Sequence, residues 1–244
     1  MALPVIQHPT FELTVPSTGK KLIYRPFLVK EEKILLLSQA ADKLDDLIRS
    51  VKQIINNCII KGDINVDASP TFDIEYIFLK LRAHSVNDLA KFSIPDEETK
   101  KSIDIEFDLK DVEIHRTEGH NNIIDLNNNV KLEMKYPTYD SISKFGQGDG
   151  GEAVKATFDM IKVCIDKVVV GDGENQEVHE FKDYSEQEVD AFVDSLTSQS
   201  FRDVQNFFDT MPRLEHTIEY KAGKRTKKRT FVGLSDFFPS AWAT

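Results

Sequence analysis

With 244 residues, 40% of them hydrophobic and 30% charged, the chain is long enough to bury a core and too apolar for extended disorder. Its 31 Lys and Arg against 41 Asp and Glu give a formal net charge of -10, which argues against a whole surface that binds nucleic acid or anionic membrane. The two cysteines, Cys58 and Cys164, support neither a disulfide framework nor a four-thiolate metal site; each sits in an apolar run and reads as a buried thiol.

The start, MALPVIQHPTFELTV, lacks the charged head and long apolar run of a secretory leader, and nowhere do about eighteen apolar residues follow one another. A soluble protein of a reducing compartment is expected. FELTV and KLIYR around the turn residues PSTG predict a β-hairpin. Pro26 then keeps Arg25 extended. From Lys30 to Ile60 the residues Ile34, Leu37, Ala41, Leu44, Ile48, Val51, Ile55 and Cys58 recur at three- and four-residue steps, which predicts one long helix stopped by Gly62. A second helix is expected in ASPTFDIEYIFLKLRAHSVNDLAKF, apolar on so much of its circumference that it is sandwiched.

After Pro95 the pattern turns to β. In SIDIEFDL, Ile103, Ile105, Phe107 and Leu109 alternate with Asp104, Glu106 and Asp108, as in a half-buried strand with an acidic outer face. VEIH and VKLEMKY continue as strands around the polar loop EGHNNIIDLNNN, and helix resumes at Pro137. Gly146, Gly148, Gly150 and Gly151 form a Gly-rich loop without the preceding strand or the following Lys-Ser/Thr of a P-loop, so it reads as a connection. EAVKATFDMIKVCIDKVVV is expected to be helical. Ser185 and Glu188 form a capping box that opens the helix EVDAFVDSL; SQSFRDVQNFFDTM gives another that stops before Pro212. LEHTIEY and RTFVGL close the chain as strands around the basic loop KAGKRTKK.

This order predicts an α+β fold with an N-terminal β-hairpin, a helical body of about five helices and a small antiparallel β unit. The expected division is 1–92 for the hairpin and first helices, 93–136 with 212–236 for the β unit, and 137–211 for the helical region, in one compact chain without long linkers.

Catalytic signals are weak. The histidines, His8, His84, His115, His120, His179 and His216, are scattered without metal-ligand spacing, and carboxylates are too plentiful for any pair to stand out. The strongest local signal is basic: Lys221, Lys224, Arg225, Lys227, Lys228 and Arg229, flanked by Tyr220 and Phe231. Such a loop contacts phosphates, forms a solvated hairpin tip, or docks on an acidic protein. The acidic balance of the chain favours the protein; the alternative is a nucleic-acid-binding accessory protein using residues 221–229.

Three collinear segments carry a resemblance: PSTGKKLIYRPFLVKEEKILLLSQAAD (16–42), FDIEYIFLKLRAHSVND (72–88) and DYSEQEVDAFVDSLTSQSFRDVQNFFDTMPRLEHTIEY (183–220). With VKLEMKYPTYD between them, the chain resembles, from about residue 4 to about residue 238, the baseplate hub and hub-assembly (chaperone) proteins of T-even-like contractile-tailed phages. That resemblance implies a non-enzymatic role in tail morphogenesis, as a hub subunit or a hub-assembly chaperone. The partners would be other baseplate hub or tail proteins, with no small-molecule substrate and no membrane. The place would be the host cytoplasm during assembly, and the virion baseplate if the protein is retained.

Relatives carry two C-x-x-C pairs of zinc-ribbon type, but the matching segments here, IPDEETKKSIDIEF and EYKAGKRTKKRTF, contain no cysteine. The resemblance therefore implies a degenerate ribbon without structural zinc or other cofactor, whose strands near 103–108 and 214–220 lie side by side. Candidate partner contacts are Arg25, Phe27, Lys30 and Glu31 at the hairpin-to-helix junction and Arg82 near the end of the second helix. Phe208, Met211 and Pro212 at a helix end, the basic residues Lys224, Arg225, Lys227, Lys228 and Arg229, and Phe238 and Trp242 in the aromatic tail complete the set. Trp242 is the preferred docking element.

Overall fold

The turn chemistry of PSTG acts as expected in the computed structural model, which describes residues 6–40, 44–85, 88–96, 101–126, 129–145, 151–173, 176–223 and 225–237. Strands β1 (Phe11–Thr14) and β2 (Lys21–Tyr24) pair antiparallel, and Gly19, at φ 68°, donates its N–H to the Val15 carbonyl at 2.9 Å. The expected single helix over 30–60 is instead two, α1 (Val29–Ala40) and α2 (Leu44–Cys58), packed against each other. One straight helix could not fold back in this way; Asp45 and Asp46 in the first turn of α2 suit a new N-terminus. The inward spacing holds in α2, where Val51, Ile54, Ile55 and Cys58 are buried, and fails in α1, where Leu37 is exposed.

The short β3 (Ile59–Lys61) adds to β2, completing a three-stranded sheet. Gly62 then runs at φ 117°, and a Cβ there would lie 2.5 Å from Leu22 Cδ2 and 2.8 Å from the Lys21 carbonyl oxygen. Gly62→Ala is therefore expected to cost at least about 1–3 kcal/mol, measured as a lower urea midpoint with unchanged slope.

Helix α3 (Thr71–Ala83) is buried over most of its circumference, as its pattern demands. Lys80 on it is itself buried, and its Nζ donates to the carbonyls of Lys110 (2.6 Å) and Val112 (2.8 Å) and to Glu113 Oε1 (2.9 Å). The expected helical tail at LAKF is instead strand β4 (Leu89–Asp96), paired with β5 (Lys101–Asp108). Ala90, Phe92 and Ile94 alternate in register with Phe107, Ile105 and Ile103, a period of two that outweighs the local helical reading. A three-residue strand β6 (Glu113–His115) ends this part of the chain.

Residues 116–212 form a second compact unit, the first being residues 1–115 with 213–244. Its antiparallel sheet has the order β10-β9-β8-β7, from β7 (Ile123–Asp125), β8 (Val130–Met134), β9 (Ile165–Val170) and β10 (Glu177–Glu180). Helices α4 (Tyr139–Phe145) and α5 (Gly151–Cys164) lie between β8 and β9; α6 (Glu186–Asp194) and α7 (Ser198–Thr210) follow β10. The helix expected through IDKVVV ends at Cys164, because Ile165 and the run Val168–Val170 are β-branched and find pairing partners in β8 and β10. Ser185 accepts from the Glu188 N–H while the Glu188 side chain accepts from the Ser185 N–H, the expected capping box. Leu132, Ile161, Cys164, Ile165, Val204 and Phe207 centre the core of this unit.

The chain then returns to the first unit. β11 (Arg213–Ala222) pairs with both β6 and β12 (Arg225–Val232), and the short α8 (Gly233–Phe237) follows. The strands near 103–108 and 214–220, expected to lie side by side, do not pair with each other. β5 and β11 belong to different sheets and meet through side chains: the Phe107 ring lies 4.8 Å from His216 and 5.2 Å from Phe231. The fold is α+β, with an N-terminal hairpin and several small antiparallel sheets.

Candidate protein-contact site

Arg25 directly follows β2 and Glu31 lies in the first turn of α1, so the extended segment between them brings the two together. Arg25 grips the carboxylate with both guanidinium nitrogens, Nη2 to Oε1 at 3.0 Å and Nη1 to Oε2 at 3.1 Å. The same nitrogens donate to the carbonyls of Pro26 and Asn57, each at 2.9 Å. Glu31 Oε2 accepts the Leu28 N–H at 2.9 Å, and Lys30 Nζ stands 3.5 Å from Oε1. Glu31 is 0% exposed, so burial alone would raise its pKa; the hydrogen bonds and charge of Arg25, with the Leu28 N–H and Lys30, outweigh that and hold it below the ordinary value.

Two candidate contacts therefore face inward, where they tie β2 to α1 and to the end of α2. Phe27 is buried as well, its ring 5.7 Å from Phe78 and its N–H donating to Ser85 Oγ at 2.7 Å. Arg82 Nη1 lies 4.0 Å from Glu32. Of the junction residues only Lys30 projects outward. Beside it stands a stripe that the sequence reading missed: Val29, Leu36 and Leu37, exposed by 87%, 55% and 63%. With Lys33 they follow the spacing i, i+4, i+7, i+8 and so share one helix face, a signal hidden while Leu37 was assigned to the buried face.

The basic run becomes a hairpin whose register sorts its charges. Arg225, Lys227 and Arg229 pair with Ala222, Tyr220 and Ile218, and lie on the face of the inward-pointing Phe231 and His216. Lys221 and Lys228 lie on the opposite face, where Lys228 is 2.9 Å from Glu219. Lys224, Phe238 and Trp242 fall outside the described residues. Beneath the hairpin, Phe231 is 4.6 Å from Phe92 and 5.8 Å from Phe237, and the Arg229 guanidinium lies 5.6 Å over its ring.

At the end of α7, Phe208 is half-buried against Phe207 at 5.2 Å, Met211 caps the helix and Pro212 is buried. His120, read from sequence as an isolated loop residue, locks this end. Its Nδ1 is 2.9 Å from Thr210 Oγ1, its Nε2 is 2.9 Å from Tyr136 Oη, and its ring lies 5.4 Å from Phe207. Nothing in its sequence neighbours signals that role. Burial raises the Cys58 thiol to about 11 and the Cys164 thiol to about 12, so both are protonated, poor nucleophiles at neutral pH.

The well-built features of this α+β chain are latches and surfaces: a bidentate ion pair, an aromatic-cored β unit, an apolar helix stripe and a charged hairpin. Features of this kind suit contact with other proteins. The chain belongs to the T4 bacteriophage base plate protein family, whose model matches residues 8–239. No curated protein and no solved structure matches it. It is a phage base plate protein, of a class with a structural role in the tail and contacts to other tail proteins. Among the described residues no helix is long and apolar enough to cross a membrane.

Proposed function

We propose that the chain acts at the hub of a contractile tail's base plate, as a hub subunit or as a chaperone of hub assembly, and that it does so through protein contacts without catalysing a reaction. The observation that carries this reading is the apolar stripe Val29, Leu36 and Leu37, set on α1 directly after the Arg25–Glu31 latch and within a chain matched by the family model over residues 8–239. A rigidly held helix with a row of exposed aliphatic side chains is suited to burial against a partner. Quantitative mass spectrometry of purified particles beside the infected-cell lysate tests it. A fixed copy number in the particle identifies a hub subunit, and abundance in the lysate alone identifies a chaperone. Absence of any association with hub proteins in either fraction would refute both.

The basic hairpin favours a protein partner over nucleic acid, because its register divides the cations between two faces and places Lys228 against Glu219. The β unit is proposed to stand without zinc; the ring cluster of Phe92, Phe107 and Phe231 supports this by filling the space between the two hairpins. Chelation with excess EDTA is expected to leave the melting temperature unchanged. A fall of several degrees, restored by zinc, would overturn that expectation.

A further inference from the structure

The second unit contains an open pocket of about 480 Å³. Its floor is Val130, Val168 and Val170, which the register of β8 and β9 places on one face of the sheet, and Phe181, Tyr184, Val189 and Phe192 rise around it. The polar groups at its mouth are occupied by other residues of the protein. His179 Nδ1 is 2.6 Å from Tyr184 Oη, and Glu188 accepts the Ser185 N–H at 2.9 Å and the Ser185 hydroxyl at 2.6 Å. The pocket thus offers apolar surface to an apolar group, with few groups left to orient a polar metabolite.

Charge narrows the occupant further. Residues 116–212 hold 19 Asp and Glu against 9 Lys and Arg, so the whole net charge of -10 resides in this unit. The stretch 177–190, which supplies much of the pocket wall, has Glu177, Glu180, Asp183, Glu186, Glu188 and Asp190 against one cation, Lys182. The negative potential over the mouth disfavours anionic amphiphiles and favours an apolar group carried between cations. β10 is also the end strand of its sheet, and His179 on it faces the pocket, so a segment added along β10 can drop alternate side chains onto that face.

We propose that this pocket and the β10 edge receive an extended segment of a partner protein, with one aromatic or large aliphatic anchor flanked by Lys or Arg. Only the occupant's being a protein rests on the base plate reading; the pocket and its charge stand apart from it. The test uses the full chain with labelled valine methyl groups and an acetylated, amidated seven-residue peptide of alternating lysine and threonine around a central tryptophan. Titration is expected to shift the methyl signals of Val130, Val168, Val170 and Val189. Replacing the tryptophan by serine, or all lysines by glutamates, is expected to weaken binding at least about tenfold. Val189→Arg, with its fold checked by circular dichroism, should abolish the shifts. Equal binding of the glutamate peptide, shifts confined to other valines, or none at millimolar peptide would overturn the proposal. Pocket shifts that depend on protein concentration without peptide would also overturn it, by making a second copy the occupant. None of these outcomes alters the particle mass spectrometry, so the two readings fail separately.

Discussion

Glu31→Ala is expected to destabilise the protein by about 3–5 kcal/mol, because removing one partner of a buried ion pair leaves the other charge uncompensated. The Arg25 guanidinium would keep the Pro26 and Asn57 carbonyls but lose both carboxylate bonds, and the Leu28 N–H would lose its acceptor. Glu31→Gln retains the shape and one acceptor oxygen, so its cost should be smaller, about 1.5–3 kcal/mol. Titration supplies a second check. The Glu31 pKa is lower in the folded chain than its ordinary value of 4.5, so its stabilisation is complete above that pH and is lost as pH falls through the folded pKa. The gap between wild type and Glu31→Gln in urea unfolding should therefore be full at pH 7 and shrink as the pH falls below 4.5 and through the lowered folded pKa. A gap that stays constant with pH would mean that the carboxylate's charge plays no part. Loss of this latch would also release α1, so binding through the Val29, Leu36 and Leu37 stripe should weaken in step with stability.

The elements that could be read from sequence are those whose pattern is local. The PSTG turn, the Ser185–Glu188 cap, the stop before Pro212 and the alternation of SIDIEFDL all report on neighbours within a few residues, and all fold as read. The errors arise where a short apolar run suits two periods. IDKVVV continues the helix on composition, and only the availability of β8 and β10 on either side makes it a strand. LAKFSIPD likewise becomes β4 because β5 pairs with it. For the candidate site, residue type does not reveal which way a side chain points. Arg25 and Glu31, candidate contacts by their place at the hairpin-to-helix junction, are each other's partner across six positions, a contact that only the turn between β2 and α1 creates. The pocket of the second unit was invisible for the same reason: its valines and its phenylalanines come from β8, β9 and the stretch around α6, which meet only in the fold.

Phe231→Ala is expected to cost about 3–5 kcal/mol, and its contrast with a neighbour makes it diagnostic. Phe231 is 2% exposed, at 4.6 Å from Phe92 and 5.2 Å from Phe107, so truncation opens a cavity between the β4–β5 and β11–β12 hairpins. Thr230, one residue earlier, faces away and shares a 2.8 Å hydroxyl contact with Thr217 at the surface. Thr230→Ala should change stability by no more than about 0.5 kcal/mol. Hydrogen exchange gives the location: in Phe231→Ala the amides of β4 and β5 should lose protection first, since among the described residues those strands pair only with each other and are held to β11 and β12 by the ring cluster. A β unit clamped by metal would keep its hairpins together when one ring is removed. One clamped by rings would not, so strong loss of protection in Phe231→Ala, together with indifference to EDTA, would assign to aromatic packing the task that thiolates and zinc perform in a ribbon.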